Sequence, residues 1–306
     1  MKTFHKIFIG LLAGLQLSCG NTTTSSNTLS FSTDTTKKTT VLENIKVENK
    51  GVVIKYDDSK KGDTTLVFVH GWGINRTYWE KQTPFFAKKY RVVALDLPGF
   101  GESGKNRTSW TVEDYAKDVS AVLNTLDLKR VVLIGHSMSG AIVLETALNN
   151  PARVIGIVGI DNFNNFGAEE TPESKKETEA FFQAAHAHYK KMVTSFANQA
   201  LFVASTPKEI RKKVLDDIAG ADSTISLTCL EQNGNYPINT KLRRLDIPLY
   251  LINSSANKTD TMAFKNNGIR CYLMDVGKTG HYPMLEKPDK FNSLLAQVIK
   301  NINKPK

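Results

Sequence analysis

The chain has 306 residues, of which 41% are hydrophobic and 23% are charged. A chain of this length and composition buries a sizeable core, which excludes a disordered or fibrous protein, and α/β folds of this size commonly form one domain with insertions. The formal net charge is +10, but the 40 Lys and Arg residues are scattered among 30 acidic residues without a dense basic block. This pattern favours a solvated surface, and the sequence contains no motif that would predict a nucleic-acid partner.

The first segment, residues 1–19, has the form of a secretory signal peptide. Lys2 and Lys6 give it a basic start, and the apolar run from Ile7 to Leu17 is too short to span a bilayer. The alternative interpretation of this segment is an N-terminal helix of a cytosolic protein.

The signal ends in Leu-Ser-Cys-Gly at residues 17–20, which resembles the cleavage box of bacterial lipoproteins. The resemblance implies that Cys19 becomes the lipid-carrying first residue of the mature chain. Gln16 stands where these boxes prefer an aliphatic residue, so cleavage by ordinary signal peptidase is the alternative. Residues 20–40 are rich in Thr, Ser and Asn without apolar periodicity, which predicts a flexible tether. We therefore expect an exported protein that is held to a membrane through Cys19 and faces the periplasm or the cell surface.

The folded domain is predicted to cover residues 41–306. Residues 41–47 and 52–56 alternate in polarity around Asn-Lys-Gly and predict an antiparallel hairpin at the edge of a sheet. Alternating buried strands and helices follow, which predicts a mostly parallel sheet covered by helices on both faces. Strands are predicted near residues 65–69, 91–95, 131–135, 154–160, 247–252 and 270–276, and helices near 77–89, 112–127, 138–149, 258–267 and 288–301.

The alternation of strands and helices stops between Asn162 and Arg244. Here the apolar residues have helical spacing, as in residues 173–197, 207–219 and 223–231. This segment therefore predicts a group of helices inserted between two strands of the sheet.

Residues 131–140 read Val-Val-Leu-Ile-Gly-His-Ser-Met-Ser-Gly and predict a buried strand that turns sharply into a helix. Ser137 lies on this turn, which would hold its hydroxyl above the sheet as a nucleophile elbow does. Such a turn needs small residues two positions to either side of the serine, because the strand and helix backbones pass close together. Gly135 and Ser139 meet this need, although Ser139 departs from the usual glycine.

Together with other motifs along the chain, the elbow resembles the α/β-hydrolase superfamily. The strand at 65–69 followed by His-Gly-Trp-Gly is similar to the family's third strand and oxyanion loop, and residues 96–103 are similar to the turn after its fourth strand. Residues 280–288 are similar to its histidine loop and last helix. The motifs occur in the family's order, and the resemblance covers roughly residues 42–302. It implies the α/β-hydrolase fold, with a sheet of about eight strands and a helical cap at residues 163–244 after strand 6.

A serine hydroxyl is a poor nucleophile, so it needs a base, a group that orients the base, and donors for the oxyanion. His281 follows the last predicted strand and is the predicted base for Ser137, in the chain order of the superfamily. The family's motifs imply that the backbone N–H groups of Trp72 and Met138 form the oxyanion hole. His70 is expected to hold its own turn by hydrogen bonds.

The acid that orients His281 has two candidates. In most of the superfamily it follows the seventh strand, a position that falls at about Asn257, and asparagine cannot supply the charge. Asp161 follows the sixth predicted strand, where some α/β-hydrolases keep the acid and where parallel sheets build their sites. Asp161 is therefore the predicted acid, and Asp260 is the alternative. Without a role in catalysis, Asp161 would have a structural role, in which its side chain caps the loop that follows.

These residues predict a serine hydrolase that cleaves carboxylic esters or related acyl compounds through Ser137, His281, Asp161 and an acyl-enzyme. The predicted partner is a small acyl or ester substrate. A cofactor-free perhydrolase or a C–C hydrolase would use the same triad, and an inactive hydrolase-fold protein that only binds a ligand is the alternative from another class.

No cofactor and no metal are expected, because the sequence contains no phosphate loop, dinucleotide fingerprint or metal cluster. His186 and His188 lie two apart on a predicted helix and cannot share a face to bind a metal. Cys229, in a predicted helix, and Cys271, in a predicted core strand, are expected to be free buried thiols. A disulfide between them in an oxidising compartment is the alternative.

Overall fold

The computed structural model describes residues 43–168 and 170–304, and these residues form an eight-stranded sheet with helices around it. The strand order is β1-β2-β4-β3-β5-β6-β7-β8. The edge hairpin β1–β2 is antiparallel and the sheet is mostly parallel, as the sequence predicts. The hairpin joins the rest of the sheet through β2, which is antiparallel to β4. The strands are β1 Glu43–Asn49, β2 Val52–Asp58, β3 Thr65–Val69, β4 Arg91–Leu95, β5 Val131–His136, β6 Val154–Ile160, β7 Leu249–Asn253 and β8 Cys271–Asp275.

The predicted signal peptide at residues 1–19, its Cys19 and the predicted tether at residues 20–40 lie outside the described residues. Among the residues that the structure describes, no helix is both long enough and apolar enough to span a bilayer.

The central strands have apolar sequences throughout because both of their faces are buried. Every residue of β3 and of β5 is buried, since helices cover both faces of a parallel sheet. The register aligns the carboxyl ends of neighbouring strands, with Val69 beside Gly135, His136 beside Ile160, and Ile160 beside Ile252. The loops after β3, β5, β6 and β7 therefore leave the sheet at one edge, and this edge carries the site.

Amphipathic helices cover the sheet. The last one, Pro288–Ile302, buries Phe291, Leu295, Val298 and Ile299, which share one helical face. The helices outside the inserted segment are α1 Thr83–Phe86, α2 Val112–Thr125, α3 Ser139–Asn149, α9 Thr261–Asn266, α10 Pro283–Glu286 and α11 Pro288–Ile302.

The segment between β6 and β7 is helical, as the sequence predicts. We call its helices α4–α8, with the residues that connect them, the cap. These helices are α4 Pro172–Ala187, α5 Tyr189–Ala200, α6 Lys208–Gly220, α7 Ser223–Gly234 and α8 Ile238–Leu242.

Three local predictions were wrong. The helix predicted near residues 77–89 is a 3₁₀-helix at Arg76–Trp79 followed by the short α1, because Pro84 lacks the N–H that a continuous helix would need. The helix predicted at residues 173–197 is broken at His188, whose φ of −140° and ψ of 52° are not helical. Cys271 lies in the edge strand β8 and is partly exposed, because only one neighbouring strand covers it.

Candidate active site

The turn between β5 and α3 holds Ser137 in a strained backbone conformation. Its φ is 54°, in the left-handed region that non-glycine residues rarely adopt. The turn is fixed because the Ser137 N–H donates to the carbonyl of Ile160 at 3.0 Å, and the Gly140 N–H donates to the carbonyl of Ser137 at 2.9 Å. Strain of this kind is concentrated at functional sites, and here it places the serine at the carboxyl edge of the sheet.

Small residues are required on both sides of Ser137. A Cβ atom on Gly135 would lie 2.5 Å from the carbonyl oxygen of Ser139, so no larger residue fits there. Ser139 is fully buried, and its hydroxyl donates a hydrogen bond to the carbonyl of His70. The serine that replaces the usual glycine therefore links the elbow to the loop after β3.

His281 and Asp161 form a buried hydrogen-bonded pair. The distance from His281 Nδ1 to Asp161 Oδ2 is 2.6 Å, and the two side chains are 4% and 2% exposed. The other carboxylate oxygen, Oδ1, accepts a hydrogen bond from the backbone N–H of Ser254 at 3.0 Å. Because a carboxylate can only accept, the proton of a neutral His281 ring lies on Nδ1, and the lone pair on Nε2 remains available as a base.

The alternative acid, Asp260, has a different role. Its carboxylate accepts hydrogen bonds from the N–H groups of Met262 at 3.0 Å and Ala263 at 3.2 Å, so it caps the amino end of α9. The carbonyl of Asn257 accepts from the Asn164 side chain. Of the two carboxylates proposed from the sequence, Asp161 is the one in contact with His281.

The loop after β3 runs directly beside the elbow. A Cβ atom on Gly71 would lie 2.5 Å from His136 Nδ1 and 3.2 Å from the Ser137 Cβ, so only glycine allows this approach. Trp72 follows, and it lines the same small cavity as Ser137 and Met138. The structure therefore brings together the residues whose N–H groups are the predicted oxyanion donors.

His70 fixes this loop, as expected from the sequence. Its Nε2 accepts a hydrogen bond from the N–H of Leu97 at 2.9 Å, so the proton lies on Nδ1, which donates to the carbonyl of Gly71 at 2.8 Å. Complete burial lowers the pKa of His70 and keeps the ring neutral, although Asp96 opposes this shift.

His136, which the sequence marks only as the residue before the nucleophile, supports the histidine loop. Its Nε2 lies 2.8 Å from the carbonyl oxygen of His281, and since that oxygen can only accept, Nε2 carries the proton. Its Nδ1 is buried without a hydrogen-bond partner. Burial, and next the neighbouring His281, lower the pKa of His136 well below its ordinary value, so the ring is neutral.

The cap contacts three of the four loops that carry site residues, those with Trp72, Met138 and His281. The Trp72 side chain donates from Nε1 to the carbonyl of Ser226 at 2.8 Å, and the Asn233 side chain donates from Nδ2 to the carbonyl of Met138 at 3.1 Å. The N–H of His281 donates to the carbonyl of Leu201 at 2.8 Å. Sequence reasoning missed these contacts, because two of them use cap carbonyl groups, which every residue type has.

Two cavities meet at Ser137 and Met138. The smaller has a volume of about 20 Å³ and is also lined by Trp72, His281 and cap residues, among them Leu201. The larger has a volume of about 320 Å³ and lies between the β6–α4 loop, α3, α4, α7 and α8. Ser137 therefore borders a small cavity that His281 also lines and a larger cavity that His281 does not line.

His186, Cys229 and Cys271 line neither of the two cavities at Ser137. In the described part of the chain, no three His, Cys, Asp or Glu side chains are grouped to hold a metal ion. His186 lies on the outer surface of the cap, with Nε2 3.1 Å from a Glu231 oxygen. Cys229 is buried, and neither it nor Cys271 forms a disulfide.

The chain is similar to several known proteins. The uncharacterized hydrolase YugF of Bacillus subtilis is 43% identical over 103 residues, which cover 33% of this chain and 38% of that protein. The 3-oxoadipate enol-lactonase 2 of Acinetobacter baylyi is 25% identical over 248 residues, covering 78% of this chain and 89% of the relative. Among solved structures, Est816, described as an N-acyl homoserine lactone degrading enzyme, has a TM-score of 0.70 and 26% identity, covering 83% of this chain and 99% of that one.

The sequence model for the family described as alpha/beta hydrolase fold matches residues 64–288, which contain the elbow, the loop after β3, the cap and the histidine loop. The sheet has eight strands and is mostly parallel, as the sequence predicted. The chain belongs to the α/β-hydrolase fold family.

Proposed function

We propose that the protein is a serine hydrolase that cleaves carboxylic esters or related acyl compounds, with Ser137 as nucleophile, His281 as base and Asp161 as the acid. The observation that carries the proposal is the 2.6 Å hydrogen bond between His281 Nδ1 and Asp161, buried beside a strained serine elbow. A His–Asp hydrogen bond on the surface would have little effect on the histidine. Because the bond between His281 and Asp161 is buried, it fixes the His281 tautomer whose Nε2 can act as a base.

In the first half of the reaction, the Ser137 Oγ attacks the carbonyl carbon of the substrate while its proton passes to His281 Nε2. The electron pair of the carbonyl moves to its oxygen, which the N–H groups of Trp72 and Met138 stabilise; one such donor contributes about 3 kcal/mol in serine hydrolases. The tetrahedral intermediate then collapses, the C–O bond to the leaving group breaks, and His281 returns the proton to the leaving oxygen. An acyl-enzyme and a free alcohol result.

In the second half, water replaces the alcohol. His281 Nε2 takes a proton from water as the water oxygen bonds to the acyl carbon. The bond between this carbon and Ser137 Oγ then breaks, His281 returns the proton to Oγ, and the carboxylic acid leaves. The carboxylate of Asp161 orients His281 and stabilises the imidazolium in both halves. The names of the relatives fit this chemistry, since a lactone is a cyclic ester and opens by the same steps.

A fluorophosphonate probe tests the proposal, because it reacts only with an activated serine. The soluble form starting near Thr40 should be labelled at Ser137, as located by mass spectrometry of peptides. Labelling should be lost in Ser137→Ala and fall sharply in Asp161→Asn, whereas Asp260→Asn should be labelled like the wild type. A well-folded wild type without labelling would contradict the proposal and favour the ligand-binding alternative.

We further propose that the protein is exported and anchored through a lipid on Cys19, on the sequence pattern given above. Expression of the full chain in a bacterium with an alkyne fatty acid should label the wild type and not Cys19→Ser, and the wild type should sediment with membranes. A labelled Cys19→Ser variant, or an unlabelled soluble wild type, would contradict the lipid anchor.

A further inference from the structure

One residue at the end of β7 contacts both the loop of the proposed acid and the loop of the proposed base. Ser254 is the first residue after β7 and is 2% exposed. Its backbone binds Asp161, and its hydroxyl binds the loop that carries His281. Sequence reasoning gave Ser254 no role, because it belongs to none of the motifs.

The acid loop depends on the end of β7 for its conformation. Asp161 has a φ of 45°, and a non-glycine residue keeps such a strained backbone only where its surroundings fix it. The N–H of Asp161 donates to the carbonyl of Ile252 at 3.2 Å, and its Oδ1 accepts from the N–H of Ser254 at 3.0 Å. The end of β7 therefore holds both the backbone and the carboxylate of Asp161.

The hydroxyl of Ser254 uses its full hydrogen-bonding capacity on backbone groups. Its proton goes to the carbonyl of Thr279 at 2.7 Å, since the carbonyl of Gly277 is farther away, at 3.4 Å. Its oxygen accepts from the N–H groups of Thr279 and Ala256, both at 3.1 Å. A hydroxyl has one donor and two acceptor positions, so all three are filled. Because Thr279 lies two residues before His281, the hydroxyl fixes the start of the histidine loop.

On the basis of the proposed function, we propose that Ser254 is a positioning residue, which sets the place of His281 relative to Asp161. The bonds from Leu201 and His136 hold the backbone of His281 against the cap and the elbow, whereas Ser254 holds the histidine loop against the acid. Ser254 lines neither cavity at Ser137, so it acts through the other two residues. A displacement of about 1 Å between reacting groups can lower a rate by about 100-fold.

Ser254→Ala tests the proposal, because it removes the hydroxyl and keeps the N–H that binds Asp161. The N–H and carbonyl groups of Thr279 would lose their buried partner, so the start of the histidine loop should shift. We expect the second-order rate constant for fluorophosphonate labelling of Ser137 to fall at least about tenfold. A folded alanine variant that is labelled at the wild-type rate would overturn the proposal.

Proton NMR of the bond between His281 and Asp161 separates positioning from a loss of stability. A proton in a short, buried hydrogen bond resonates at low field, and the resonance of His281 Nδ1–H is identified as the one that Asp161→Asn shifts or removes. In folded Ser254→Ala, this resonance should move to higher field or broaden through exchange with water. An unchanged resonance would overturn the proposal even if the labelling rate falls.

Ser103→Ala is the matched control, because it removes another hydroxyl that bonds to the backbone. The Ser103 hydroxyl donates to the carbonyl of Asp96 at 2.7 Å and accepts from the N–H of Lys55 at 2.8 Å, and Ser103 lines neither cavity at Ser137. This variant should lose stability but keep the labelling rate and the resonance of the wild type. An equal effect of Ser103→Ala on both would overturn the proposal. If Ser254→Ala does not fold, Ser254→Cys makes the same test, since a thiol is only a weak donor and acceptor.

Labelling of the wild type distinguishes the failure of this proposal from the failure of the proposed function. A labelled wild type together with an unaffected Ser254→Ala variant would reject the role of Ser254 and leave the serine hydrolase assignment intact. An unlabelled, well-folded wild type would reject both, since there would be no activated serine for Ser254 to support.

Discussion

The candidate site has two walls of different origin. One is the carboxyl edge of the sheet, which supplies Ser137, Asp161 and His281 from the ends of strands or the loops beside them. The other is the cap, which supplies the carbonyl groups of Leu201 and Ser226 and the side chain of Asn233. The sheet wall contains the groups that would make and break bonds, and the cap wall holds the same loops in place and closes the cavities. The proposed chemistry therefore depends on which residues stand at the sheet edge. At the cap, two of the three contacts use backbone carbonyl groups, so they depend on the position of the backbone and not on the residue type.

The largest effect is expected at the elbow in the sheet wall. Ser137→Ala removes the proposed attacking oxygen and leaves the backbone turn in place, so kcat should fall by about 10⁶-fold, the loss known for the serine protease subtilisin. Ester turnover and thermal unfolding should be measured together. An active Ser137→Ala variant would show that the sheet wall does not carry the nucleophile.

The choice of acid is the next test of the sheet wall. Asp161→Asn keeps the shape but removes the charge and the tautomer control at His281 Nδ1, so kcat should fall by about 10⁴-fold. Asp260→Asn is the matched control, because asparagine caps a helix as well as aspartate does, and both stability and kcat should stay near the wild type. A loss of kcat in the Asp260 variant alone, with both variants folded, would reverse the assignment.

The two walls also differ in how much of each was predictable from the sequence. The elbow, the histidine loop and the strand-end carboxylate need particular residue types at particular spacings, so the motif around Ser137 and the position of Asp161 after β6 were enough to find them. The N–H of Ser254, which binds Asp161 from the end of β7, has no such signature. The helical structure of the cap was predictable from the spacing of its apolar residues. Its contacts and the break at His188 were not predictable, since they follow from tertiary packing.

The contact of Asn233 with the elbow tests whether the cap wall affects the chemistry. Asn233→Asp replaces the donor that binds the carbonyl of Met138 with an acceptor, which should cost about 1.4 kcal/mol and lower kcat about tenfold with little change in KM. Asn198→Asp is the matched control, because Asn198 is exposed on α5 and bonds only within its own helix. A lower melting temperature with unchanged kcat would mean that Asn233 only supports the fold.

The smallest effect is expected at His136, which links the elbow to the histidine loop. This effect is a change in how the free energy of unfolding depends on pH. Burial lowers the pKa values of His136 and His70, so below about pH 6.5 the unfolded chain binds protons at these residues that the folded protein excludes. The free energy of unfolding should therefore fall as the pH decreases through this range, by up to about 1.4 kcal/mol per pH unit for each histidine.

His136→Gln isolates the contribution of His136 to this slope. Glutamine retains an N–H donor for the carbonyl of His281 but does not titrate, so the variant should lose part of the slope of unfolding free energy between pH 6.5 and pH 5.5 and keep the part that His70 contributes. Urea titrations at several pH values give the slope directly, independently of any constant loss of stability caused by the substitution. An unchanged slope would mean that His136 takes up a proton in the folded protein, and that its bond to the His281 carbonyl does not require a neutral ring.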